Sequence, residues 1–317
     1  MSPPHDGDGS ARAIAAAFAA NLGIALAKFV AFALTGAASM LAEGVHSVAD
    51  TGNQGLLFLG SRQAKKAPTR QHPFGFGRER YFWAFVVAVV LFTAGSLFAL
   101  LEGLNKLRHP HELESWPWAV GTLVVAVVLE ASSLRTAVHE SRGLKGDLGW
   151  GEFIRRAKIP ELPVVLLEDT GALVGLGFAL AGIGLAEVTG NARFDALGSL
   201  GIGLLLAGIA FVLAVEMKSL LIGEAASPAV QARICAALER TEGIFRVIHL
   251  RTEHLGPDDL LVVAKIAVDP AWPLARTAAL IDRAEAEVRG DVPEARLMFL
   301  EPDVDRRMPG RDNGGLS

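Results

Sequence analysis

The sequence predicts an all-α membrane domain of six transmembrane helices followed by a small cytosolic α/β domain of α-β-β-α-β order. Three observations carry that fold class. Of 317 residues, 51% are hydrophobic and only 20% are charged, and the mean hydropathy is +0.37, too apolar for a soluble chain of this length. Six runs are long and apolar enough to cross a bilayer, which takes about 20 residues of helix. After Leu221 the pattern changes abruptly to short amphipathic segments with charge on one face.

In chain order, residues 1–11 read as an N-terminal cytosolic tail. His5, Asp6 and Asp8 precede Arg12, unlike the basic start of a cleavable signal, so the first apolar run is expected to be retained. The spans are placed at 12–35, 38–60, 81–105, 116–138, 161–187 and 194–216, within a transport domain of 12–221. The connection from Ser61 to Arg80 holds Arg62, Lys65, Lys66, Arg70, Arg78 and Arg80. That from Arg142 to Glu161 holds Arg142, Lys145, Arg155, Arg156 and Lys158. The opposite connections hold only Lys106 and Arg108, and Arg193. The positive-inside rule then puts both basic loops and both termini in the cytoplasm, for a multi-pass protein of the cell (inner) membrane.

The C-terminal domain is placed at 222–305. Val230, Ile234, Ala237 and Leu238 recur at helical spacing over 228–241, strands are expected at 247–253, 260–268 and 296–300, and a second helix at 274–289. Gly256-Pro257-Asp258 is the turn of the first hairpin. Residues 306–317, rich in Gly, Asn, Pro and charge, are expected to be a disordered tail.

Composition also excludes. A net charge of −4 argues against a nucleic-acid footprint. A single cysteine, Cys235, rules out an intramolecular disulfide and a thiolate zinc cage, so any metal must be held by His and carboxylates; Cys235 itself reads as a buried inert thiol. No Ser-His, Cys-His or multi-histidine cluster points to an enzyme, and no catalytic or cofactor-binding residue is expected.

The chemistry lies in polar residues inside the spans. Each ionisable group there costs roughly 3 kcal/mol to insert, which makes it a functional candidate. Glu43, His46, Asp50 and Asn53 are spaced three, four and three apart and share one helical face. An imidazole nitrogen and a carboxylate oxygen one turn apart can reach one metal at about 2.0–2.2 Å if another helix completes the shell. The alternative for His46 and Asp50 is a hydrogen-bonded helix contact; Glu43, nearer the helix end, could be solvated, and Asn53 could simply pack. The fifth span supplies Glu168 and Asp169, two acids that repel each other unless a proton or cation sits between helices. Lys28, Glu102, Glu130 and Glu216 read as structural, through snorkelling or pairing.

The runs Ala42-Glu43-Gly44-Val45-His46-Ser47-Val48-Ala49-Asp50, His72-Pro73-Phe74-Gly75-Phe76-Gly77 and Asp195-Ala196-Leu197-Gly198-Ser199 resemble the cation diffusion facilitator family of zinc transporters. Asp50-Thr51-Gly52-Asn53-Gln54-Gly55 and Val164-Val165-Leu166-Leu167-Glu168-Asp169-Thr170 resemble its divergent branch typified by the ninth animal zinc transporter. The resemblance implies a homodimer, embedded in lipid, that exchanges cytosolic divalent metal for protons, with a metallochaperone-like C-terminal domain. It implies ligands at His46, Asp50 and Asp169. Family members commonly carry a histidine where this chain has Val165, so Glu168, Asn53 or water is left to complete the shell, and a Val165→His change is expected to restore the family arrangement. Zn2+ is the expected cargo, with manganese, cobalt or ferrous iron also suited to one imidazole and several oxygens. The rival implied by Val165 is a transport-silent membrane scaffold. The family's accessory metal positions appear as Phe76 beside a lone His72, and as Ile248, Ala264 and Phe299, leaving only Glu301. His249 and His254 are expected at the surface or an interface, and the domain is expected to fold without metal.

Overall fold

A computed structural model describes residues 22–110 and 116–304 of the chain. The expected N-terminal tail, the start of the first span and the tail at 306–317 lie outside the described residues. The described residues divide into two compact units: residues 22–63 with 79–110 and 116–218, and residues 64–78 with 219–304.

The first unit is helical throughout. Helix α1 is described over Leu22–Thr35, followed by α2 (Ala38–Ala64). Helix α3 runs from Glu79 to Arg108 and contains a π-helical stretch at Val87–Phe92. Then come α4 (Trp116–Lys145), a short α5 (Trp150–Arg156), α6 (Glu161–Thr189) and α7 (Arg193–Ile222). Among the described residues, α3, α4, α6 and α7 are each long and apolar enough to span a membrane, whereas α2 has the length but carries the polar stripe.

Exposed apolar side chains mark where lipid would lie. Leu22, Leu26, Val30 and Leu34 of α1 recur every fourth residue and are all exposed, one stripe turned away from the bundle. Inward faces use small residues instead. Helices α6 and α7 approach so closely at Gly182 and Gly198 that a Cβ on either would press on the backbone of the other helix. Helix α4 packs along α6. Helix α5 was not anticipated in the basic loop; it buries Phe153 against Ala137 and Leu166 while leaving its arginines outside.

The second unit has the expected α-β-β-α-β order: α8 (Pro228–Arg240), β1 (Arg246–Gly256), β2 (Asp259–Ala267), α9 (Leu274–Asp291) and β3 (Leu297–Asp303). Ser227 caps α8 by accepting from the Val230 amide, with Pro228 in the first turn, where no amide partner is needed. Strand β2 is central, antiparallel to β1 and parallel to β3. Its Leu260, Val262, Ala264 and Ile266 alternate inward and meet Ile234 and Leu238 of α8 and Leu280, Ala284 and Val288 of α9.

Residues 64–78 belong to this second unit. His72 closes a turn, its carbonyl accepting from Thr69 and Gly75 and its ring lying 4.7 Å from that of Phe76. Gly77 rests on the hairpin tip: a Cβ there would be 2.6 Å from the Leu255 carbonyl oxygen, so only glycine allows the approach. Arg78 pairs with Glu253 beside it.

Candidate metal centre

Helix α2 keeps its polar residues on one face, and that face is wholly buried. Glu43, His46, Asp50 and Asn53 are 0, 2, 7 and 1% exposed. The expectation that Glu43 could be solvated is therefore overturned. Its Oε2 accepts from the Lys28 ammonium at 3.0 Å, and Lys28 also donates to Ser47 Oγ at 2.7 Å. Lys28 is itself fully buried, so it pairs rather than snorkels. The other oxygen, Oε1, lies 2.6 Å from where a Cβ on Gly175 would stand, so α6 reaches this level of α2 only because residue 175 has no side chain.

One turn along, His46 Nδ1 is 3.3 Å from Asp50 Oδ1. Asp50 opens onto a cavity of about 20 Å3, shared with Ser47, Glu168 and Asp169 and, from α4, Glu130 and Ser133. That volume suits one water-sized or ion-sized occupant, which needs roughly 10–15 Å3. Ser133 Oγ donates to Asp169 Oδ2 at 2.9 Å and fixes one face of that carboxylate.

Several buried polar atoms here lack a hydrogen-bond partner: His46 Nε2, Asp50 Oδ1, both amide atoms of Asn53, Glu168 Oε2 and Glu43 Oε1. Glu168 lies beside Asn53 and Asp50, but these oxygens form no hydrogen bond of good geometry. Each such atom costs about 1–3 kcal/mol when left unmade. Among the described residues no three His, Cys, Asp or Glu side chains yet converge as a metal-ligand cluster. The carboxylates line the cavity without meeting at a point.

The structure thus brings Asp50, Glu168 and Asp169 to one cavity, with His46 joined to it through Asp50 and Asn53 beside Glu168. It adds Glu130 and Ser133, which sequence reasoning had set aside or missed. Three residues apart, they share a helical face, but spacing alone does not say which neighbour that face meets. Val165 stands elsewhere. It packs with Ala137, Phe153 and Leu166, so a histidine there would enter an apolar layer rather than simply restore a ligand.

In the second unit the accessory positions are structural. Ala264 is core, Phe299 is exposed, and Ile248 is skipped by the β1–β2 pairing. Glu301 and Asp303 both pair with Lys265, raising the lysine pKa. His249 is exposed, whereas His254, expected at the surface or an interface, is buried in β1. Cys235 is half-buried rather than enclosed; burial and then the nearby Glu239 charge raise its thiol pKa.

Residues 14–222 match the family model of the cation efflux transmembrane domain, and residues 226–299 that of the cation efflux protein cytoplasmic domain. The chain is 34% identical over 245 residues to the human mitochondrial proton-coupled zinc antiporter SLC30A9, covering 76% of this chain and 43% of the relative. It is 29% identical to metal tolerance protein C4 of Arabidopsis thaliana (81% of this chain, 57% of that one). It is 26% identical to the cation-efflux pump FieF of Pectobacterium atrosepticum, over 97% of this chain and 98% of that one. The chain spans less than half the length of the zinc antiporter. With a family model covering most of its length, the chain belongs to the cation efflux, or cation diffusion facilitator, family.

Proposed function

We propose that this protein carries a divalent metal cation, zinc foremost, across a membrane in exchange for protons, using the α2/α6 cavity as its cargo site. The observation that carries this reading is the set of unpartnered buried oxygens and nitrogens on α2 and α6, centred on Asp50 and Glu168. Buried oxygens such as Asp50 Oδ1 and Glu168 Oε2 are unfavourable when left without a partner and favourable beside a cation, which supplies one to the acceptors it reaches. His46, Asp50, Asp169 and Glu168 hold the cargo, with Asn53 as a further donor. Protons compete for the same carboxylates and imidazole, which must be deprotonated to bind metal, and this competition couples the two flows. The similarity to a proton-coupled zinc antiporter supports zinc, while the abundance of oxygen donors also suits manganese, cobalt and ferrous iron. A homodimer built on the C-terminal domain, with both termini cytoplasmic and metal leaving the cytosol, completes the proposal.

The test is zinc flux in sealed vesicles holding the purified protein, with a pH gradient imposed in either direction. Zinc uptake should follow proton exit and reverse with the gradient. Flux indifferent to the gradient would remove proton exchange, and no flux of any divalent ion would favour the scaffold reading.

A further inference from the structure

Helix α4 contributes to the cavity in a way that the α2/α6 reading does not use. The hydrogen bond from Ser133 to Asp169 sets the register between α4 and the antiparallel α6. That register carries Ala137 of α4 to the level of Val165, one turn along, where both join the apolar layer around Phe153. In the other direction it lifts Glu130, on the same face as Ser133, to the cavity beside Asp50, Glu168 and Asp169. Helix α4 thus adds a carboxylate to the cavity already lined by Glu168 and Asp169 of α6.

We infer that Glu130 is a cation-binding residue of this site, giving the cargo a fourth carboxylate from a third helix. The inference rests on the proposed cargo site but can fail without it. Glu168 and Asp50 line the same cavity and are more than nine-tenths buried; Glu168 Oε2 has no hydrogen-bond partner, and Asp50 Oδ1 has only the His46 Nδ1 contact at 3.3 Å. Glu130 is half-buried and lines the same cavity, while the lysine of this region, Lys28, is held by Glu43 and Ser47. Four carboxylates and the Ser133 hydroxyl against one imidazole make a hard, oxygen-rich shell, which broadens acceptance toward oxygen-preferring ions such as Mn2+.

The experiment is equilibrium binding of zinc and of manganese ions to the full-length protein in detergent, with melting temperature followed in parallel. Glu130→Gln should weaken zinc binding by about tenfold or more, and manganese by a larger factor, with Glu130→Asp between it and wild type. Melting without metal should be unchanged or higher, since one repelling carboxylate is gone, while the rise in melting temperature on adding zinc should shrink. Asp50→Asn and the exposed Glu187→Gln serve as positive and negative controls. If Asp50→Asn loses zinc while Glu130→Gln binds as wild type does, the role of Glu130 is overturned and the cargo site stands. If neither variant changes binding, the cargo site itself fails and this inference with it. If Glu130→Gln melts early without metal and Glu130→Asp does not restore binding, Glu130 is structural and the inference is overturned.

Discussion

Lys28, Glu43 and Ser47 show how one residue's burial decides its role. A lysine with no exposed surface inside an apolar bundle is tolerable only while its ammonium is bonded, and here a carboxylate and a hydroxyl do so. Lys28→Met should therefore strand Glu43 and destabilise the protein by about 3–5 kcal/mol, while Lys28→Met with Glu43→Gln should recover most of that loss. Denaturant midpoints of the three proteins check it; equal loss in single and double variants would mean that the pair is not coupled. At the cavity, Glu168→Ala should be nearly as damaging to zinc binding as Asp169→Ala if both coordinate. A mild effect of Glu168→Ala in a binding titration would leave Asn53 or water in its place. The residue-level stripe on α2 was legible because i, i+3 and i+4 spacing defines a face without any structure. Glu130 was not, because spacing within one helix says which face a residue shares and not which neighbour that face meets.

At the scale of elements, the helices and strands followed from length and period. Strand β2 alternates with period two and α8 repeats every three to four residues, and both formed where expected. Helix α5 escaped notice because seven residues with two arginines look like a loop, and only the pocket for Phe153 between α4 and α6 makes it worth forming. The packing of Val165 there revises the expectation for Val165→His: it should lower thermal stability and leave zinc affinity unimproved, and a tighter binding constant would return residue 165 to the site. The C-terminal domain should be indifferent to metal, since Ala264 is core and Glu301 is engaged by Lys265. A chelator should leave the melting curve of residues 227–303 unchanged, and a marked drop would expose a site near His249 or His254.

For the whole molecule, the distribution of arginine and lysine predicts the topology. Cysteines introduced at Lys65 and Arg155 should label only from the side that bears the C-terminus. The native Cys235 should add little background, because its raised pKa keeps the thiol protonated at neutral pH and slows its reaction. Which helices touch across the bundle follows from glycine-mediated approach and a few hydrogen bonds, features invisible to hydropathy. The central claim is that a divalent cation crosses through the carboxylates of α2 and α6, and it is tested most directly by zinc flux into vesicles containing wild type, Asp50→Ala or Asp169→Ala at matched protein density. The account predicts proton-driven flux for wild type and none above empty vesicles for either variant. Undiminished flux through both variants would contradict it.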